Sequence, residues 1–323
     1  MTKHHPSDPP PGGGIPRPVH PQKRREPLPW ARPKPAEEDA RTRERIEAIL
    51  ASPSYSEADR DVEFLDRDET RGARLMLDYL KAETLLEQHR VRHTVVVFGS
   101  TRIPEPEGAR RKVAQLREAL AASPGDGNLE RRLAVAEHLQ AKSHYYDVAR
   151  QLGRLVGESG TGPEDTRVVL MTGGGPGMME AANRGAFDAG AKTIGLNIRL
   201  PHEQFPNPYI TPDLCFLFHY FAVRKLHFLL RAKALVAFPG GYGTLDELFE
   251  TLTLIQTRKI RPLPVILVGR AFWEKAFDVR FLLDEGVIDA EDGELFWYAE
   301  SASEIWEGIL GWHEANGTPL FNK

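Results

Sequence analysis

The stretch FPGGYGTLDELFE, residues 238–250, sets Gly240, Gly241 and Gly243 beside Thr244 and Glu247, where an apolar run meets a helical pattern. Glycine lets backbone amides approach an anion closely, and a helix N-terminus presents unpaired N–H groups carrying a partial positive charge. That chemistry suits a phosphate. A second join, GGGPGMME, places Gly173, Gly174, Gly175 and Gly177 after another apolar run, with Pro176 where a first helical turn tolerates it. One such loop is as easily explained by tight packing. Two in one sheet favour a phosphate site on which both turns converge.

Glu247 admits two roles. Thr244-Leu245-Asp246-Glu247 fits a capping box, in which Glu247 reaches back to the Thr244 amide. It also lies where a sugar attached to the phosphate would sit, as an acid–base or charge-stabilising group. Arg224 and Lys225 stand near the start of a helix rich in Phe and Leu. In such a helix a buried charge needs a partner, whereas an exposed one simply reaches solvent along its stem.

Several classes are excluded. Met178 occupies the place of the third glycine of a dinucleotide fingerprint, and the strand TIGLNI ends without an acid to hold a ribose. Neither loop ends in the Gly-Lys-Ser/Thr of a P-loop. No His/Cys/Asp/Glu spacing suggests a metal site, so no metal and no organic cofactor is expected. What remains is a monophosphate or a similar small anion.

The elements that must position these residues follow from apolar patterning. Continuous apolar runs at TVVVFGSTR, RVVLMTGGG, KTIGLNI, LCFLF, ALVAFPGG and PLPVILVG read as strands buried on both faces, with helical segments between them. The pattern predicts an α/β fold, a doubly wound parallel Rossmann-like sheet over 92–323 with an N-terminal helical extension over 37–91. Ligands of such sheets lie beyond the carboxyl ends of strands. Three strands end in candidate loops: Gly99–Arg102, Thr172–Gly175 and Pro239–Thr244.

Residues 1–36 carry seven Lys/Arg against two acids and 11 of the 25 prolines, a composition expected to be disordered. The tail is net +5 and the rest −9, which argues against nucleic acid as the main ligand. The absence of an apolar leader or a membrane-length apolar run predicts a cytoplasmic protein. The single cysteine, Cys215, reads as a small core hydrophobe.

Taken together, GGGPGMMEAANRGA, the Arg224-Lys225 pair and PGGYGTLDE resemble the Lonely Guy (LOG) phosphoribohydrolases, many of which were labelled lysine decarboxylases. The resemblance covers about Val95 to Val268, and the long N-terminal extension with FAVRK looks like the longer subclass. It implies hydrolysis of the N-glycosidic bond of a nucleoside 5'-monophosphate, a cytokinin ribotide or AMP, to free base and ribose 5-phosphate. Carried over, Arg224 and Glu247 are the catalytic pair. Lys225, Gly240, Gly241, Tyr242, Gly243 and Thr244 hold phosphate and ribose together with Gly173, Gly174, Gly175 and Gly177. Glu203 in LPHEQ and Thr253 are further substrate contacts. A homo-oligomer, dimer or higher, is implied. The rivals are a non-catalytic nucleotide- or cofactor-binding module, a nucleosidase for other bases, and nucleic-acid binding through the basic tail.

Overall fold

A computed structural model describes residues 27–28, 33–162, 164–201 and 205–321. Most of the basic tail and Glu203 therefore lie outside the described residues. The chain divides into two units, Met1–Arg67 and Asp68–Lys323. In the first, α1 (Thr42–Leu50) and α2 (Val62–Leu65) are short and polar. Ion pairs such as Arg43–Glu47, at 2.8 Å, run along α1, and Asp61 caps α2 by accepting from Phe64 N. The helical segment 37–91 is thus shared between the units, and its longest helix belongs to the second.

That second unit runs α3 (Arg71–Gln88), β1 (His93–Phe98), α4 (Pro106–Ala122), α5 (Gly127–Lys142), α6 (His144–Glu158), β2 (Val168–Thr172) and α7 (Met178–Asp188). It continues through β3 (Thr193–Ile198), β4 (Cys215–Phe218), α8 (Phe221–Leu230), β5 (Ala232–Ala237), α9 (Tyr242–Gln256) and β6 (Val265–Val268). It closes with α10 (Arg270–Ala276), α11 (Val279–Asp284), β7 (Trp297–Ala299) and α12 (Ala302–Ala315). The seven strands form one parallel sheet in the order β4-β3-β2-β1-β5-β6-β7. The fold is a doubly wound α/β sheet. Six strands match the apolar runs; β7, in a segment expected to be mainly helical, does not.

Side chains alternate between the sheet faces, as the strand period of two requires. Val95 and Val97 join Leu170, Val236 and Ile266 under α6, α7 and α12. Val96 and Phe98 join Met171, Leu196, Leu235 and Leu267 under α3, α8, α9 and α10. Both faces are covered, so the strands carry no polar-out alternation.

The order matters for the site. From β1 the chain winds outward through β2, β3 and β4, then returns to the other side of β1 for β5. The helices after β1 and after β5 consequently leave on opposite faces, opening a crevice at the carboxyl ends of β1 and β5. α3 braces the element beside this crevice. Asp78 accepts from the amides of His219 and Tyr220 at the start of α8, at 2.8 and 3.0 Å. Arg231, just beyond α8, forks onto Glu83 at 2.6 and 2.8 Å.

Candidate active site

Three strand-end loops meet at the crevice, stitched through Ser100. Its amide donates to Pro239 O at 2.9 Å, and its carbonyl accepts from Met178 N at 3.1 Å. Gly99 lies at the crossing: a Cβ there would come within 2.9 Å of both Met178 and Phe238. The loops after β2 and β5 are thus drawn to either side of the loop after β1.

The cleft they enclose holds about 470 Å³, in the range of small-ligand sites. Phe98 and Gly99–Arg102 line it from β1, Met179 from α7, and Arg224 from α8. Gly241, Tyr242, Gly243, Thr244 and Glu247 line it from α9. Arg224 and Glu247, widely separated in sequence, therefore share one cleft.

The helix that carries Glu247 starts three residues earlier than the capping-box reading requires. Tyr242 is its first residue, Gly241 is the N-cap, and no side chain caps it. Thr244 is already inside the first turn, with its amide bonded to Gly241 O at 3.0 Å. The capping role expected of Glu247 is therefore overturned. What remains is a carboxyl only 6% exposed that faces the cleft. Burial pushes it up to about 7, against the pull of Lys225 and then Arg224; Glu250 and Asp246 add to the rise.

Arg224 is held rather than free. Its Nε donates to Leu196 O at 2.7 Å, and its guanidinium carbon stands 5.1 Å from the Phe228 ring centre. Burial lowers its pKa, and Glu247 opposes that fall. Gly173 makes room for it, because a Cβ at 173 would run into Arg224 Nη2 and the Met179 sulfur.

The triple glycine serves as a support and stands outside the cleft lining. The Gly174 amide is taken by Thr172 Oγ1 at 2.9 Å, and Asn207 N and Nδ2 bond the carbonyls of Gly174 and Gly175. Asn183 Oδ1 joins this network, accepting from Thr172 Oγ1 and Asn207 Nδ2. Gly177 has a φ of 71° and packs on Ser100 O, where no other residue would fit. Gly240 is required by Thr244, which a side chain at 240 would strike. Gly241 and Gly243 differ: a side chain at either would meet no protein atom within 4 Å. Packing gives no reason for glycine there, and both line the cleft.

Other expected residues lie elsewhere. Lys225 is outside the lining and bridges Asp246 at 2.9 Å and Glu250 at 3.1 Å. Thr253 is exposed about nine residues farther along α9 than Thr244, roughly 13 Å at 1.5 Å per residue. Ser100, Thr101, Arg102 and Met179 are lining residues missing from the expected set, although FGSTR was legible as a strand-end loop. Cys215 is half-buried, and its thiol accepts from Asn197 Nδ2 at 3.4 Å.

This is a doubly wound α/β protein whose ligand-sized cleft lies at the topological switch point, with an arginine and a buried carboxyl facing it. Residues 179–309 match the family model described as "Possible lysine decarboxylase". The chain is 33% identical over 118 residues to the cytokinin riboside 5'-monophosphate phosphoribohydrolase LOG of Oryza sativa subsp. japonica, covering 36% of this chain and 45% of that protein. It is 28% identical over 170 residues to the cytokinin riboside 5'-monophosphate phosphoribohydrolase LOG3 of Arabidopsis thaliana, covering 51% of this chain and 74% of that one. The chain thus spans under half the length of the rice relative. A solved structure of the molybdenum cofactor binding protein from Rippkaea orientalis aligns with 52% of this chain and 87% of its own, at 26% identity and a TM-score of 0.37. Over part of its length the chain is thus similar to the Lonely Guy phosphoribohydrolases.

The decarboxylase label implies pyridoxal phosphate, which is held as a Schiff base on a lysine. The residues do not fit it. Among the described residues no lysine lines the cleft, and neighbouring Lys225 is engaged by two carboxylates.

Proposed function

We propose that the protein hydrolyses the N-glycosidic bond of a nucleoside 5'-monophosphate, AMP or a cytokinin ribotide, releasing free base and ribose 5-phosphate. One observation carries the reading. A buried carboxyl with a pKa of about 7 shares a cleft with Arg224 and with the open, glycine-lined N-terminus of α9. The names of the relatives supply the substrate class.

The steps follow from these groups. The unpaired first amides of α9, with the exposed guanidinium of Arg102 at the rim, hold the phosphate. Glu247 follows Thr244 by three residues, about 4.5 Å along the helix axis, so a ribose on that phosphate falls beside its carboxylate. Departure of the base builds positive charge on the ribose ring. The carboxylate stabilises that charge and orients or deprotonates the attacking water. Arg224 cannot act as a base at neutral pH. It favours the ionised form of Glu247 and positions the nucleotide. Incubation with AMP and with isopentenyladenosine monophosphate should yield the free base and ribose 5-phosphate in equal amounts. Stoichiometric binding without base release identifies a carrier instead.

Lys225 is the largest positive influence on Glu247 but lies outside the cleft lining. Lys225→Met should therefore leave KM for AMP within about threefold and move the acidic limb of the pH–rate profile upward. A KM raised tenfold or more with an unmoved limb would place this lysine on the phosphate. We further expect a cytoplasmic homo-oligomer; the exposed Leu226 and Leu230, one turn apart on α8, offer an apolar contact for assembly.

A further inference from the structure

The hairpin of α4 and α5 precedes the span matched by the family model, and it holds a cavity of its own. Leu129, Leu133 and Ala136 of α5 pack on Val113 and Leu116 of α4. The next row of α5, Arg132, Val135 and Leu139, is spaced three and four apart and turns into the side of that groove. The result is a hollow of about 280 Å³.

Its walls are apolar, and the polar side chains lining it are Lys112, Arg131 and Arg132. Among the described residues no carboxylate lines it. The hairpin's ion-paired acids are engaged elsewhere, Glu107 with Arg110 and Glu137 with Arg117. Among the described residues the three cations form no ion pair. All three are exposed, so their stems line the hollow and their charged ends stand at its rim. An apolar hollow with a cationic rim complements an amphiphile with an anionic head.

We propose that this hollow binds a medium-chain carboxylate, with the tail against Leu116, Ala136 and Leu139 and the head among Lys112, Arg131 and Arg132. A guanidinium fork matches the two carboxylate oxygens. The volume lies near the lower end of ligand sites, ~300 Å³, which selects a short tail. The site is separate from the cleft of Arg224 and Glu247 and does not depend on the reaction proposed there.

Isothermal titration of the full chain with hexanoate, octanoate and decanoate tests it. Binding should saturate at one site and tighten by about fourfold per added methylene until the hollow is full. Octanol, which has the tail without the charge, and octyl phosphate should both bind more weakly than octanoate. The triple change Lys112→Gln, Arg131→Gln, Arg132→Gln should weaken octanoate about tenfold with the melting temperature unchanged. Val135→Trp, at the half-exposed mouth, should block the hollow with all three charges in place. No saturable carboxylate binding, octanol or octyl phosphate binding as tightly as octanoate, or an unaltered affinity in the triple variant overturns the proposal. So does self-association that depends on the same three cations, which would make the occupant a second copy of the chain.

Discussion

Glu247→Gln is expected to slow release of adenine from AMP by two orders of magnitude or more, the scale of a lost general base. It should also stabilise the folded protein at alkaline pH. The carboxyl titrates at about 7 in the folded chain against an ordinary 4.5, because burial disfavours its charged form. The folded state therefore binds this proton more tightly than the unfolded chain, and wild-type stability falls as pH rises from about 4.5 to about 7. Above that window the whole penalty is present, about 3 kcal/mol. Glutamine carries none of it. Urea unfolding should find the variant equal to wild type near pH 4 and more stable by up to about 3 kcal/mol at pH 8. Wild-type kcat/KM should rise with pH through about 7 as the carboxylate forms. A variant that keeps its activity, or that loses stability at pH 8, is incompatible with a buried catalytic carboxylate.

The second large effect belongs to Arg224. Arg224→Ala should lower kcat/KM at pH 8 by about 10²-fold or more, on the scale of one lost charge-stabilising donor. It also removes a positive neighbour of Glu247, so the pH–rate midpoint should move above its wild-type position. Gly173→Ala gives an independent route to the same outcome, since the new methyl group displaces a guanidinium that is otherwise intact. A merely structural arginine would lower activity without moving the midpoint. Turnover of AMP unchanged in both variants would remove Arg224 from the site.

Much of this architecture was legible in the chain, and the remainder was hidden for identifiable reasons. Val95–Phe98 and five similar runs announced buried parallel strands. Trp297–Ala299, three residues long, is too short for any period to show. Strand order is a property of the whole sheet rather than of local pattern. Hence the two glycine loops looked like equal partners, whereas the switch point pairs the β5 loop with Gly99–Arg102, and of the triple glycine Gly173 makes room for Arg224. The helix start was misjudged because Gly241, acceptable as an N-cap, precedes a Thr-x-x-Glu string that imitates a better one. The family resemblance placed Lys225 on the phosphate and ribose, next to a catalytic Arg224. Consecutive residues on a helix point about 100° apart, so one faces the cleft and the other meets Asp246 and Glu250. The proposed catalytic pair was read from its motifs, since the 22 residues between Arg224 and Glu247 carry no local signal of contact.

The central claim is that α9 grips a nucleotide phosphate at its first turn and presents Glu247 to the sugar one turn later. A crystal structure of Glu247→Gln with AMP tests this directly, because the variant should bind substrate without consuming it. The phosphate should lie on the amides of Tyr242 and Gly243, with the anomeric carbon beside the residue 247 carboxamide. A phosphate seated away from those amides, or a carboxamide turned from the ribose, would contradict it.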